Sequence, residues 1–280
     1  MHGPEILAAS MSVPQPRGRS KRLWQYDPRS DLHSKVACWG VLVDLLEQSA
    51  LLRQHTAQRK VILGVNHKMR DFQTGREKAL DLVVARPSEA ALTSSTLADL
   101  AKQYSIVLTT SQQGMLETLP DLHVGPVGAV LVALEAKAAM TAFIKALPRL
   151  YDELNSSHLT VHGASSNALA VGLAMVNASP TFISPARNRA RVRDLDITVH
   201  RQPHDTLRTI GKIREIPRRA GATGHGFDGL AVVVVSATND GVSPVSLVSD
   251  SPAPAPGDVL HYDTMITRVA NEYDATWKAI

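Results

Sequence analysis

Apolar residues recur along the chain with two different periods, and the alternation between them lays out the elements. Leu32, Val36, Trp39, Val43 and Leu46 return at helical spacing, which predicts a helix beginning near Ser30 or Asp31, either of which can cap it. Val61 to Val65 reads as a short strand. After a turn at Gln73, Thr74 and Gly75, Ala79 to Ala85 reads as a second strand, apolar throughout except for Asp81, as a central strand should be. Residues 88 to 127 form a long excursion in which Ser95 to Tyr104 reads as helix and Ile106 to Thr109 as a short strand. Gly125, Pro126 and Gly128 mark the turn into a third strand, Ala129 to Lys137, with two charges at its end. A helix follows at once. Met140, Phe143, Ile144 and Leu147 are its expected buried stripe, Pro148 kinks or divides it, and Tyr151 and Leu154 continue the face. Ala168 to Asn177 is a fourth strand. A basic loop, a helix from about His204 to Glu215, a strong strand at Leu230 to Ser236 and a closing helix from Tyr262 to Trp277 complete the pattern, with a Pro- and Ala-rich loop at 250 to 257.

Strands and helices interleaved in this way predict an α/β (α+β) fold, a central mixed β-sheet flanked by helices. Residues 1 to 28 carry Pro4, Pro14, Pro16, Gly18 and Pro28 without periodicity, and read as a flexible basic N-terminal arm ahead of a single domain over 29 to 280. With 44% hydrophobic residues but 4% aromatic, aliphatic residues and Ala must do most of the packing. The single cysteine, Cys38, excludes an internal disulfide and a Cys-rich zinc site, and reads as a small buried residue on a helix. No apolar stretch approaches the roughly 20 residues that span a bilayer, and the run Ile6 to Ala9 is too short for a signal peptide. A cytoplasmic protein without membrane contact is expected.

The net charge of +4 is a mild excess. Its distribution says more: Arg17, Arg19, Lys21 and Arg22 cluster, as do Arg187, Arg189, Arg191 and Arg193, and again Arg208, Lys212, Arg214, Arg218 and Arg219. Such clusters attract phosphates. Phosphate-loop, dinucleotide-binding and Gly-x-Ser-x-Gly patterns are absent, so no nucleotide cofactor is expected. The 11 histidines are read as forming no zinc-hydrolase pattern.

Strand residues two apart share a face, so Glu135 and Lys137 project together from the end of the third strand. Opposite charges in such a place are costly unless they are paired or bind something. Carboxylates hold Mg²⁺, a hard cation, and a neighbouring lysine can orient the attacking water and offset charge on a phosphate. The second acid must come from a neighbouring strand, where Asp81 stands alone among Leu80, Leu82, Val83 and Val84. Asp121, in a literal Pro-Asp, is the alternative, but Leu122 to Val124 leave little room for a core strand before Gly125.

The order helix, three strands, helix, strand, with Asp81 on the second strand and Glu135-Ala136-Lys137 ending the third, resembles the core of the PD-(D/E)xK nucleases, a group that includes many type II restriction endonucleases. The resemblance covers residues 31 to about 178, leaving 179 to 280 as a C-terminal elaboration. It implies a Mg²⁺-dependent endonuclease on double-stranded DNA, with Asp81, Glu135 and Lys137 catalytic. Asp81, Glu135, the Ala136 carbonyl and an acid of the first helix (Glu47, with Asp44 as its rival) would be the metal ligands. It also implies a homodimer. Leu80 stands where the family has Pro. Arg187, Arg189, Arg191 and Arg193, with Asn155, Ser156, Ser157 and His158 after the catalytic helix, are the candidate DNA contacts.

Overall fold

The structure is a computed structural model that describes residues 1–17, 22–72, 74–88, 93–188, 195–221 and 224–280. Its elements in order are α1 (Gly3–Met11), β1 (Gln15–Arg17), β2 (Arg22–Trp24), α2 (Leu32–Gln48), α3 (Ala50–Ala57), β3 (Ile62–Arg70), β4 (Glu77–Pro87), α4 (Leu97–Gln103), α5 (Thr110–Thr118), β5 (Val127–Ala139), α6 (Phe143–Ala164), β6 (Leu169–Asn177), β7 (Thr181–Ile183), β8 (Ile197–Val199), α7 (His204–Arg214), β9 (Gly229–Ser236), β10 (Ser246–Val248) and α8 (Tyr262–Thr276).

Six strands form one mixed sheet in the order β10-β9-β6-β5-β4-β3. β5, β6 and β9 run parallel; β3 against β4, β4 against β5 and β9 against β10 are antiparallel. Helices cover both faces, which is why β6 and β9 read as unbroken apolar runs: every residue of Leu169–Asn177 is buried. α2 and α8 pack on one face, with α1 and α3 against them, while α6 and α7 pack on the other. The alternating side chains of the sheet feed two separate cores, for example Val132, Leu134 and Ala136 toward α2, and Val130 and Ala133 toward α6.

The N-terminal expectation is corrected. Residues 3–11 are not a flexible arm but a helix whose Ile6, Leu7 and Met11 are fully buried against α2. Pro4 in the first helical turn favours this start, because no intrahelical N–H is needed there. Asp44 seals the join: its carboxylate accepts the backbone N–H of His2 (2.7 Å) and Gly3 (2.8 Å) and the Tyr262 hydroxyl (2.8 Å). Ile106–Thr109 is not a strand, and α5 follows it. α5 is capped by Thr109 and Gln112, as α4 is by Thr96 and Asp99. Ile144, expected in the buried stripe of α6, is 60% exposed. Gln73, Arg19 and Lys21 lie outside the described residues.

Candidate active site

The site forms where two neighbouring strands part. β4 and β5 are paired as far as Leu82↔Leu134; one residue further on β5 pairs only with β6, Glu135 facing Gly172. Asp81 stands in the resulting fork. Its Oδ2 accepts the backbone N–H of Ala136 at 3.0 Å, replacing the ladder bond that the departing strand no longer makes. On the other side of β4 the ladder also lapses between Val65↔Leu82 and His67↔Leu80, where Asn66 adopts a left-handed φ of 52°. Asp81 is thus held at an irregular point of an otherwise regular sheet, tied to β5 through the main chain.

Its Oδ1 turns to the start of α2, receiving Lys35 Nζ at 2.6 Å and Ser34 Oγ at 2.9 Å. Glu135, 3% exposed, accepts Lys137 Nζ at 2.5 Å and has Lys78 Nζ 3.8 Å from the same oxygen. Lys137 continues to Glu153 of α6 (3.9 Å), whose other oxygen holds Arg149 Nε at 2.5 Å. Lys78 is fixed from behind by Ser157 Oγ (2.5 Å), Ser156 Oγ (3.1 Å) and the carbonyl of Glu153 (2.5 Å). The result is two ion groups, Asp81 with Lys35, and Glu135 and Glu153 with Lys78, Lys137 and Arg149, joined through the Ala136 N–H that Asp81 accepts and spanning α2, β4, β5 and α6.

The electrostatics follow from burial. Desolvation and the nearby Asp81 charge push the Glu135 carboxyl up, against the pull of Lys137 and Lys78. Burial lowers Lys78, with Glu135 opposing. For Lys137, burial works downward, but the bonded Glu135 with Asp81 and Glu153 behind it more than offsets this, and the ammonium is held charged. Burial, with the Asp81 and Glu135 charges, drives the Cys38 thiol well up. Cys38 lies 4.0 Å from Asp81 Oδ2 and is an inert wall of the site.

Asp81, Lys137 and Glu153 border a cleft of about 570 Å³ between the starts of α2 and α6. Arg29, Lys145 and Arg149 line it too, so four cations with Lys137 face three carboxylates, Asp31, Asp81 and Glu153. Ala142, which leads into α6 and lines the cleft, carries a left-handed φ of 50°, a strained choice for a residue with a Cβ.

Asp81, Glu135, Ala136 and Lys137 therefore converge as expected from their positions. Glu47 does not. It lies twelve residues beyond Lys35 on α2, about 18 Å along the axis, and pairs with His2 at 3.5 Å. Its rival Asp44 is the buried anchor of α1. Asp121 is outside the cluster, on the irregular segment between α5 and β5. Ser157 and His158 are buried and cannot meet DNA. Ser156 and Ser157 instead hold Lys78, and Asn155 Oδ1 faces His158 Nε2 at 2.8 Å. Ser157 and His158 lie on the buried side of α6, and Asn155 and Ser156 beside them are half-buried. Arg187 is exposed and paired with Asp196 at 3.2 Å; Arg189, Arg191 and Arg193 lie outside the described residues. In the third basic cluster Arg219 is buried against Asp228 (2.5 Å), while Lys212 pairs with Glu215 and Arg214 with Asp258.

Lys35, Lys78, Lys145, Arg149 and Glu153 were missed by sequence reasoning. Lys145, Arg149 and Glu153 did leave a signal: they recur every four residues on the helix after Glu135-Ala136-Lys137. The reading of the histidines also needs correction, since His158 and His162 stand at His-x-x-x-His spacing on α6. Their partners differ, however: His158 faces Asn155, and His162 Nε2 lies 3.3 Å from Asp228. Among the described residues no group of three or more His, Cys, Asp or Glu is arranged to hold a metal. The carboxylates at the fork are Asp81 and Glu135, each bonded to a lysine, and they are the two side chains there of the hard-oxygen type that Mg²⁺ takes. No helix among the described residues is long and apolar enough to cross a membrane. No family model, curated protein or solved structure matches the chain.

Proposed function

We propose that the chain is a Mg²⁺-dependent endonuclease acting on double-stranded DNA, related in its core to the PD-(D/E)xK nucleases and working as a restriction-type enzyme. One observation carries this reading. Asp81 and the pair Glu135 and Lys137, separated in sequence by the whole excursion through α4 and α5, come together at the fork between β4 and β5, where Asp81 and Lys137 line a cleft and Glu135 is buried against Lys137. α2, β3, β4, β5, α6 and β6 follow one another in that order, with α3 before β3 and α4 and α5 between β4 and β5, and this supports the succession helix, three strands, helix, strand on which the resemblance rests.

Asp81 and Glu135 would hold Mg²⁺, which supplies a more acidic water and a counter-charge for the phosphate. Lys137, kept protonated by its carboxylate neighbours, suits orienting the nucleophile and offsetting the growing negative charge better than taking a proton. Arg149 and Lys145, exposed on the first turns of α6, can grip the flanking phosphates. A twofold assembly on a palindromic site goes with this reading.

A second reading has its own observation. Every carboxylate of the cluster already has a protein cation as partner, as expected of a DNA-binding protein in which an ion network replaced the chemistry. Plasmid incubation separates the two. Discrete fragments with Mg²⁺ and none with EDTA are expected of the nuclease; progressive shortening would mean an exonuclease or repair enzyme. Equal DNA binding with and without Mg²⁺, and no cutting, would mean the binding protein.

A further inference from the structure

Lys35 has no part in the assignment so far, yet it is the most deeply placed cation of the cluster. Its side chain is 1% exposed, its ammonium is 2.6 Å from Asp81 Oδ1, and it reaches that oxygen from inside α2 rather than from the cleft. An ammonium so buried is stable only against a charge of opposite sign, and Asp81 is the carboxylate it touches. Asp81 in turn already accepts Lys35 and Ser34 on Oδ1 and the Ala136 N–H on Oδ2, with Cys38 Sγ 4.0 Å from Oδ2. Any further cation brought to Asp81 therefore shares the carboxylate with the Lys35 ammonium already seated on it. The local sum points the same way, since Asp81 and Glu135 bring two negative charges against the three positive charges of Lys35, Lys78 and Lys137.

We infer that Lys35 is a positioning residue that occupies the cation place on Asp81 and competes with Mg²⁺ for it. The inference rests on the nuclease reading for the identity of the metal. In the metal-free chain Lys35 keeps the Asp81 carboxylate aimed and the fork closed. When Mg²⁺ binds, the ammonium gives up part of its contact, so the affinity of the site is set by Lys35 as much as by its ligands. Two cations on one carboxylate are linked ligands, each weakening the other by the same factor.

The test uses the full chain without DNA, titrated with Mg²⁺ at constant ionic strength, and reads both calorimetric binding and the melting temperature. Lys35→Met keeps the stem and removes the charge. It is expected to melt well below the native protein without Mg²⁺, to recover more than the native protein gains as Mg²⁺ is added, and to bind Mg²⁺ about tenfold more tightly. Lys35→Met combined with Asp81→Asn removes both charges, and is expected to melt nearer the native protein and to ignore Mg²⁺. Equal Mg²⁺ shifts in native and Lys35→Met proteins would overturn the inference. So would a Lys35→Met protein that Mg²⁺ cannot rescue, or a double variant no more stable than the single one. Cleavage is scored separately. Cutting by the native protein with equal Mg²⁺ shifts would refute the role of Lys35 alone, and a clear difference in Mg²⁺ response with no cutting would refute the nuclease alone.

Discussion

Glu135 sits where a carboxylate is least solvated, and its neighbours decide what it can do. Because burial and Asp81 raise it, it protonates at a higher pH than an ordinary glutamate. A protonated Glu135 loses its charge for a metal, so Mg²⁺ binding to the chain is expected to weaken as pH falls; an affinity that is unchanged by calorimetry between pH 7 and pH 5 would contradict this. His158 works with the opposite sign on stability. Burial, with His162 and His225 adding to it, lowers the ring to about 4 from 6.5. Between those values the unfolded chain binds the extra proton, so stability is present at neutral pH and lost as pH falls from about 6.5 toward 4, by up to about 3 kcal/mol. Urea unfolding at pH 7 and pH 4.5 should show the loss in the native protein and a smaller one in His158→Gln; parallel losses would refute it. Asp81, Glu135 and Lys137 were legible because each breaks an apolar strand, which is a local signal. Lys35 and Lys78 were not, because nothing in the sequence near them says which carboxylate they will meet.

The strands of the sheet centre could be read almost to the residue, since burial on both faces leaves an unbroken apolar run, as in β6 and β9. The three-residue strands β7, β8 and β10 are too short to show a period. β3 runs on to Arg70 because its outer half, exposed at alternate positions in an edge strand, is polar. α5 is hidden by its polar composition, and α1 by its short length and by the prolines that follow it at 14, 16 and 28. The helix α1 is nonetheless integral. Its Gly3 lies so close to Gly40 of α2 that a Cβ on Gly40 would come within 2.8 Å of the Gly3 Cα. Gly40→Val is therefore expected to force the helices apart and to cost about 1–3 kcal/mol by denaturant unfolding. Deleting residues 1–12 uncovers Ile6, Leu7 and Met11's side of the core and strips two of three hydrogen bonds from buried Asp44. The melting temperature should drop by many degrees, where loss of a flexible arm would leave it unchanged.

A central mixed sheet flanked by helices was legible from the interleaving of strands and helices, whereas the count of layers, two or three, was not. The site as a whole was legible only in part, because it depends on how the start of α2 and the first turns of α6 meet across the fork. Their meeting decides which cations face the cleft. Lys145 and Arg149 border the cleft, whereas much of the charge in the third basic cluster is taken up by Asp228, Glu215 and Asp258. Replacing both Lys145 and Arg149 by Ala should weaken DNA binding on all sequences and reduce the slope of log affinity against log salt by about 2. An unchanged slope would place the DNA elsewhere.

Cleavage of a supercoiled plasmid under excess enzyme and Mg²⁺, comparing the native protein with Lys137→Ala, bears on the whole assignment. Lys137 is half-buried and bonded to buried Glu135 at the cleft, so its loss should lower the melting temperature while leaving the chain folded at the assay temperature, and slow cutting by about a hundredfold or more. Equal rates for the two proteins, or an intact plasmid with the native protein across salts and plasmid sequences, would contradict the site proposed at the β4–β5 fork.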